Sequence, residues 1–258
     1  MNISLSFDVE EDLHSPTYNS LKEGIPQLLN ILDKYKIKAT FFVPAKLIEK
    51  FPSYFLNLKK QKHGIALHGY KHERFDNLSR SEAEKRIEKS VKIYKKIFRE
   101  NPKGFRAPQH SIDEKTLEIL SQNNFHYDSS YTPLNFLQLF FFPKAIHHEL
   151  KGFSKPRSFY KISKSFYEIP ISSIGIPLVS FPVRILPWFL LKIYLEILRL
   201  THKNLVFYAH SWDFIDLPKS KIDRMFSHKR LIKNFERMIG YLSKRNNFIK
   251  LEQLAKSK

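Results

Sequence analysis

Two histidines and a run of acids are the residues of this sequence whose types and spacing suggest chemistry. His68 and His72 lie four residues apart, directly after the apolar run Ile65-Ala66-Leu67. Imidazoles at this spacing can bind one metal ion, and neutral imidazole is a common zinc ligand. Residues 8–12 hold four carboxylates, which repel one another unless a cation compensates them. Together the two segments predict a divalent-metal site, although each alone is also typical of half-buried histidines or a solvated loop.

Repeated strand-then-helix units must position these residues. Apolar runs predict strands near residues 3–7, 38–43, 63–68, 104–107, 125–128, 167–172 and 205–209, with 248–251 closing the sheet. Helical spacing predicts helices near 19–36, 80–99, 185–199 and 231–242, and one or two short helices within 45–62. Asp113 can cap a further helix that carries Leu117 and Leu120. Residues 134–166 show neither pattern and are predicted to be an irregular excursion. Continuous apolar strands alternating with helices are typical of an α/β fold, here a closed or partly closed barrel.

The polar residues of the predicted barrel fall repeatedly where strands end. Active sites of such barrels lie at the carboxyl ends of the strands, so this distribution predicts one common site. The residues concerned are Asp8, Glu10, His68, His72, Arg106, His110, Asp128 and His210.

Composition narrows the function classes. The 258 residues carry a net charge of +19, mostly from lysines spread along the whole chain, and no cysteine. This balance attracts polyanions, but no arginine-rich block or zinc-finger spacing indicates nucleic-acid binding. The first strand begins at once, which predicts no secretory signal and a cytoplasmic location. No linker divides the chain, so we predict one catalytic domain over residues 1–258.

The segment 181–200 is apolar enough to raise the question of a membrane. Arg184, Lys192, Glu196 and Arg199 interrupt it, which argues against a transmembrane span. A helix packed on the barrel core is the favoured interpretation. The alternative is a helix in the membrane interface, with lysines meeting anionic lipids at the inner membrane face.

Seven short motifs give the chain a family resemblance. In their order, over about residues 3 to 251, they resemble the NodB-homology polysaccharide deacetylases, carbohydrate esterase family 4. The motifs are Ser6-Phe7-Asp8-Val9-Glu10, Ala39-Thr40-Phe41-Phe42-Val43, His68-Gly69-Tyr70-Lys71-His72, Phe105-Arg106-Ala107-Pro108, Tyr127-Asp128-Ser129-Ser130, Glu168-Ile169-Pro170 and Tyr208-Ala209-His210-Ser211-Trp212.

The resemblance implies a distorted (β/α) barrel, a divalent metal, usually zinc, and hydrolysis of an acyl group from an amino sugar. It also implies a role for each matching residue. His68 and His72 correspond to metal ligands, Asp8 to the catalytic base, Arg106 to the arginine that holds this base, and His210 to the general acid with Asp128 as its partner.

The first motif departs from the commonest family pattern, in which two aspartates are adjacent. Here Val9 separates Asp8 from Glu10. Alternate residues of a strand share a face, so Asp8 and Glu10 can point together. We therefore predict Glu10 as the carboxylate ligand, with Glu11 and Asp12 as reserves. Candidates for contact with substrate are Tyr70, Pro108, His110 and Trp212.

These observations predict a zinc-dependent hydrolase that removes an N-acetyl group from an amino sugar of a surface polysaccharide or its precursor; another divalent transition metal is an alternative to zinc. A second enzyme hypothesis is a deformylase or deacetylase of a lipid-linked sugar or another non-peptide amide. The non-enzymatic hypothesis is a glycan-binding module on the same fold. The oligomeric state is left open.

Overall fold

The chain forms a curled, mostly parallel sheet covered by helices. A computed structural model describes residues 1–13, 15–133, 155–217, 220 and 225–256. The strands are β1 Asn2–Asp8, β2 Thr40–Val43, β3 Gly64–Leu67, β4 Gly104–Phe105, β5 Tyr127–Asp128, β6 Tyr160–Ser163, β7 Phe166–Glu168, β8 Asn204–His210 and β9 Asn247–Phe248. The helices are α1 Ile25–Lys34, α2 Ala45–Lys50, α3 Pro52–Lys60, α4 Arg80–Phe98, α5 Glu114–Gln122, α6 Ser180–Ile185, α7 Trp188–Thr201, α8 His228–Leu242 and α9 Leu251–Ala255.

The strand order confirms the distorted (β/α) barrel. It runs β6-β7-β5-β4-β3-β2-β1-β8, with β9 also paired to β1, and the β6–β7 pair is antiparallel. The chain beyond β7 reaches β8, because the Ser172 amide donates to the Val206 carbonyl at 3.2 Å and Val179 forms a parallel bridge with Tyr208. The two ends of the sheet are thereby brought together.

Alternation along the strands separates the barrel interior from the helix-facing layer. On β8, Leu205, Phe207 and Ala209 join the large core beneath the helices. Val206, one residue out of phase, joins a smaller cluster inside the barrel. The other members of that cluster come from neighbouring strands and from α9, which closes the floor: Phe42, Ala66, Tyr127, Ile169, Leu251, Leu254 and Ala255.

Gly104 makes room for the largest aromatic ring of this floor. A Cβ at position 104 would lie 2.0 Å from the Tyr127 ring, in the neighbouring strand. Glycine is therefore required sterically, and Tyr127 fills the space that a side chain would occupy.

Most predicted elements are confirmed. The helix predicted over 80–99 is α4, and the capping box of Ser79 with Glu82 opens it. Asp113 caps α5 by accepting a hydrogen bond from the Thr116 amide at 3.0 Å. The predicted closing strand is β9, which pairs in parallel with β1.

Three predictions are wrong in detail. Residues 160–163, expected to be irregular, form β6, which turns back along β7 as a hairpin; residues 134–154 of the predicted excursion lie outside the described part of the chain. Leu251 begins helix α9 instead of extending the sheet. The apolar helix begins at Trp188, since Pro187 fits the position just before the first turn. Among the described residues, no helix is long and apolar enough to cross a bilayer.

Candidate active site

The predicted site residues converge at the carboxyl ends of the strands. Asp8 ends β1 and His210 ends β8, and the two are register partners of these neighbouring strands. His68 directly follows β3, and Arg106 follows β4, whose Phe105 pairs with Leu67. The floor of apolar side chains lies below them, so the barrel presents its polar groups at one end.

Asp8 is a buried carboxylate held by a cation. Its Oδ1 accepts a hydrogen bond from Arg106 Nη1 at 2.9 Å, and its Oδ2 lies 3.5 Å from His68 Nε2. Burial by itself raises the pKa of this carboxyl, but the nearby His68 ring and Arg106 guanidinium reverse the effect and lower the pKa below its ordinary value. Asp8 is therefore ionised at neutral pH.

Arg106 is fully buried and almost fully hydrogen-bonded. Its Nε donates to the Ser129 carbonyl at 2.8 Å, and its Nη2 donates to the hydroxyls of Ser6 and Ser129. The guanidinium also lies 4.1 Å from the centre of the Phe42 ring and 4.9 Å from that of Tyr208. These contacts fix the cation between the apolar floor and Asp8, so its position is determined by three strands.

Three side chains form a candidate metal centre. The ligand atoms of Glu10, His68 and His72 all lie within 4.8 Å of one another, and His72 Nε2 contacts Glu10 Oε2 directly. The loop that carries His72 bends sharply, with φ values of +71° at Gly69 and +69° at His72. This left-handed backbone is uncommon for histidine and directs its ring toward Glu10 and His68.

The structure distinguishes Glu10 from Glu11 and Asp12, the two alternative carboxylate ligands. Asp12 accepts hydrogen bonds from Thr17, Asn19 and Ser20, so it holds the following loop in place. Glu11 accepts a hydrogen bond from the Tyr18 hydroxyl at 2.6 Å on the surface. Only Glu10 among these acids belongs to the cluster with the histidines.

The three residues fit a divalent metal ion by the chemistry of their donor atoms. His68 Nδ1 lies 2.8 Å from the carbonyl of Arg106, and since a carbonyl only accepts, Nδ1 carries the proton and Nε2 keeps its lone pair. Burial lowers the pKa of His68, which keeps the ring neutral. Burial opposes ionisation of Glu10, but its hydrogen bond with His72 and the charges of nearby histidines lower its pKa. Burial lowers the pKa of His72, but its hydrogen bond with Glu10 outweighs burial and raises the pKa overall, so a metal ion would displace a proton from this ring. Two imidazole nitrogens and one carboxylate are a set that zinc prefers.

His210 contacts a carboxylate, but it is not the expected one. Its Nδ1 lies 3.7 Å from Asp213 Oδ2, and the same oxygen accepts a hydrogen bond from the His210 amide at 2.9 Å. Its Nε2 lies 2.6 Å from the Tyr208 hydroxyl and 3.5 Å from Glu10. Burial lowers the pKa of His210, but Asp213 and Glu10 outweigh it and raise the pKa overall.

The prediction that Asp128 is the partner of His210 is therefore wrong. Asp128 follows Tyr127, and since Tyr127 points into the barrel, the next side chain of the strand points to the other face. Its carboxylate accepts hydrogen bonds from the amide and the hydroxyl of Ser130. Strand alternation thus turns Asp128 away from the histidine.

On that other face Asp128 meets a second acid, its register partner Glu168. Both carboxyls are fully buried. Glu168 Oε1 accepts a hydrogen bond from the Tyr131 amide at 3.1 Å. Oε2 receives no hydrogen bond from an amide or hydroxyl of the described residues. Burial raises the pKa of both carboxyls, and the charge of Asp128 raises that of Glu168 still further. The hydrogen bond between the two carboxyls requires a proton, so the pair shares one.

Trp212, one of the four residues predicted to contact substrate, contacts two of the site residues. Its ring stacks on His210 with centroids 4.0 Å apart, and its indole nitrogen donates to Glu10 at 3.0 Å. It thus connects the candidate acid to the candidate metal ligand.

Of the other three, Tyr70 and Pro108 are buried and His110 is half-buried. Tyr70 is 7% exposed, with the ammonium of Lys89 4.2 Å from the centre of its ring. Pro108 is buried beside Gly69. His110 Nδ1 lies 2.8 Å from the Ser130 carbonyl, and burial lowers the pKa of this ring to about 4. His110 is half-buried with its ring 5.2 Å from that of Tyr208, so it borders the acid side of the site.

Sequence reasoning assigned no role to Tyr208 or Asp213. A signal for Tyr208 was present, because residues two apart on a strand share a face and Tyr208 precedes His210 by two. The signal for Asp213 is a helical turn at Ser211–Phe214, in which the carboxylate at the third position can return to the amide of His210. Arg184 on α6 also donates to the Asp213 carbonyl at 2.8 Å.

The chain is similar to known deacetylases. The family model described as polysaccharide deacetylase matches residues 2–127. The peptidoglycan deacetylase-like protein FGM2 of Gibberella zeae is 31% identical over 137 residues, 52% of this chain and 40% of that protein. The peptidoglycan deacetylase of Helicobacter pylori is 34% identical over 107 residues, 42% of this chain and 36% of that protein. The chain thus spans about two fifths of the length of these relatives.

The fold has a counterpart among solved structures. A protein of Mycobacterium smegmatis assigned as a polysaccharide deacetylase superposes with a TM-score of 0.71, covering 99% of this chain and 88% of that one. At 18% identity this likeness concerns the fold. The family match covers the strands that present Asp8, His68 and Arg106. Over residues 2–127 the chain is therefore similar to the polysaccharide deacetylase family, and the whole chain shares the fold of a structure assigned to that activity.

Proposed function

We propose that the protein is a metal-dependent hydrolase that removes the N-acetyl group from an amino sugar of a surface polysaccharide or its precursor. The observation that carries this proposal is the convergence of an ionised Asp8, a Glu10–His68–His72 cluster and a His210 of raised pKa at one end of the barrel. Similarity to the polysaccharide deacetylase family and the names of the relatives support the reaction class. A cytoplasmic location with a precursor as substrate stays our prediction.

Glu10, His68 and His72 would hold the metal, for which we propose zinc. When bound there, the ion would supply Lewis-acid activation of water and of the amide carbonyl. The protein prepares two of the three ligands beforehand, because the Arg106 carbonyl fixes the tautomer of His68 and Glu10 is ionised.

Asp8 is suited to take the proton of the attacking water. Arg106 occupies its Oδ1, which leaves Oδ2, on the side of His68, to accept the proton. The buried guanidinium also keeps Asp8 ionised before the reaction and fixes its orientation, so that little rearrangement is needed. Oxygen from this water becomes part of the released acetate.

His210 is suited to protonate the leaving nitrogen. The amide C–N bond breaks only when the amine receives a proton, and a cationic imidazole near neutral pH can give one. Asp213 stabilises the cation on the Nδ1 side, and Nε2 then donates toward the Tyr208 hydroxyl until a substrate takes its place. The products are acetate and a sugar with a free amine.

The test measures acetate release from N-acetylglucosamine oligomers and from peptidoglycan by the metal-loaded protein. We expect Asp8→Asn to lower turnover by about a thousandfold or more, because the general base is lost while the shape is kept. Glu11→Gln, one position from Glu10 on the surface, is the matched control and should retain wild-type turnover. Bound metal, measured by elemental analysis, should be lost in Glu10→Gln and kept in Glu11→Gln.

Other results would point to the alternatives. Formate release from N-formyl sugars without acetate release would support a deformylase. Saturable glycan binding without any turnover, in a protein with a full complement of metal, would contradict the hydrolase and support a glycan-binding module.

A further inference from the structure

Helix α7 is apolar on both of its faces. Leu191, Leu195 and Leu198 are fully buried in the core beneath the helices. The outward face nevertheless carries a second row of large apolar side chains, at helical spacing along the whole length of α7: Phe189, Leu190, Ile193, Ile197 and Leu200. An amphipathic helix of a water-exposed surface would be polar there.

The exposure of this row is large. Phe189 is 63% exposed, Ile193 54% and Leu200 86%. With 14 residues, α7 is about 21 Å long, so the row is a continuous ridge and not a set of scattered side chains. Contiguous apolar surface of this kind marks an interaction site more often than solitary residues do.

Cations surround the ridge. Residues 188–203 carry three lysines and arginines, residues 225–245 carry six, and each range holds a single glutamate. Both glutamates are paired, Glu196 with Arg199 at 2.7 Å and Glu236 with Lys34 at 2.6 Å. The surface around the ridge therefore has a strong positive excess.

The two basic ranges lie side by side in space. Tyr241 of α8 packs edge-on against Trp188 of α7, with ring centroids 6.0 Å apart, and it donates a hydrogen bond to Glu196. Lys192 lies 5.3 Å from the centre of the same ring. The cations of α8 thus flank the apolar ridge of α7.

We propose that this ridge docks the protein on the surface of a bilayer that contains anionic phospholipids, with α7 lying in the interface. Apolar side chains would enter the boundary between headgroups and acyl chains, while the flanking lysines and arginines would meet the phosphates. A second copy of the chain is a poorer occupant, because a symmetric dimer would press two equally positive surfaces together. This inference is independent of the reaction proposed above.

The experiment is vesicle flotation of the whole chain at low and at physiological salt, with phosphatidylcholine vesicles that contain or lack phosphatidylglycerol. Wild type should float with the anionic vesicles, less so at higher salt, and weakly with neutral ones. Ile193→Ser/Ile197→Ser/Leu200→Ser should lower the partition coefficient by about tenfold or more, because the buried apolar area is lost. Thermal unfolding of this variant checks that it remains folded.

A matched pair of charge variants separates docking from net charge. Lys229→Glu/Lys233→Glu on α8 and Lys92→Glu/Lys96→Glu on α4 each reverse two exposed lysines four residues apart. Docking through α7 predicts a severalfold loss of binding for the α8 variant and near wild-type binding for the α4 variant. Equal losses would mean unspecific charge attraction and would overturn the proposal.

A variant with an added fluorophore reports the depth of insertion. Tryptophan fluorescence of Phe189→Trp should shift to shorter wavelength with anionic vesicles and be quenched by brominated acyl chains. No flotation of wild type at low salt would overturn the proposal. So would a dimer in light scattering that the triple serine variant converts to a monomer, because a second copy would then cover the ridge.

Discussion

Two pairs of acids at the same end of the barrel, all buried except the half-buried Glu10, have opposite charge states. Asp8 and Glu10 contact Arg106 and His72, and their pKa values are lowered. Asp128 and Glu168 contact each other, and their pKa values are raised. The residue types and the strand ends are alike, and the face of the strand is what differs. Strand phase therefore decides which carboxylates are charged and able to act as base or ligand.

The largest effect is expected when Asp8 loses the cation that holds it, the guanidinium of Arg106. Arg106→Met should lower the free energy of unfolding by about 3–5 kcal/mol, because it leaves the buried carboxylate of Asp8 without a partner. The double variant Arg106→Met/Asp8→Asn should recover part of that loss. Urea unfolding measures both, and Arg80→Met, which breaks a surface pair with Glu118, should cost less than about 1 kcal/mol. Equal effects at the two sites would show that the Asp8 pair is no more sensitive than a surface pair.

The next largest effect concerns the hydrogen bond that the Trp212 indole donates to Glu10. Trp212→Phe keeps a ring to stack on His210 but removes the donor to Glu10. We expect metal affinity to fall about 10-fold to 100-fold, as is common when a ligand loses its hydrogen-bonding partner. Competition with a chromophoric chelator measures it. Trp188→Phe is the control, and an unchanged affinity in Trp212→Phe would leave the indole with a packing role alone.

The pH dependence of kcat/KM shows whether Asp213 or Asp128 is the carboxylate that raises the pKa of His210. As the proton donor, His210 must be protonated, so its pKa sets the alkaline limit of kcat/KM. Asp213→Asn removes a charge that raises this pKa, and the alkaline limit should move to lower pH. Asp128→Asn should leave the limit in place. A shift in Asp128→Asn alone would restore the partner implied by family resemblance.

The smallest effect is expected at the pair of Asp128 and Glu168, which shares a proton. Glu168 keeps its proton in the folded state above pH 4.5, where the unfolded chain releases it, so wild-type stability falls as pH rises toward the folded pKa. Glu168→Gln cannot ionise and lacks this decline. Near pH 5 the variant should be within about 1 kcal/mol of wild type, and its relative stability should rise at higher pH. Denaturant unfolding across pH 5–8 checks the slope, and a relative stability that falls with pH would mean that Glu168 is ionised.

Sequence alone predicted the barrel and the convergence at its end, because long apolar strands and capped helices such as α4 are determined locally. It also predicted Glu10, since β1 is long enough for its alternation to be read without ambiguity. The partner of His210 was missed because β5 has only two residues, and a strand that short does not reveal which face Asp128 occupies. The hairpin of β6 was missed because its half-exposed residues lack a clear apolar pattern.

The position of β1 has a consequence for how the protein is made. The strand that ends in Asp8 precedes β2 and β8 in the chain, yet it lies between them, and the Ser6 hydroxyl bonds to a carbonyl 201 residues further along, at Phe207. Contacts so distant in sequence form late and slowly. The candidate catalytic base therefore reaches its working environment only after β8 has been synthesised, and nascent chains that stall before residue 204 carry Asp8 on an unprotected sheet edge.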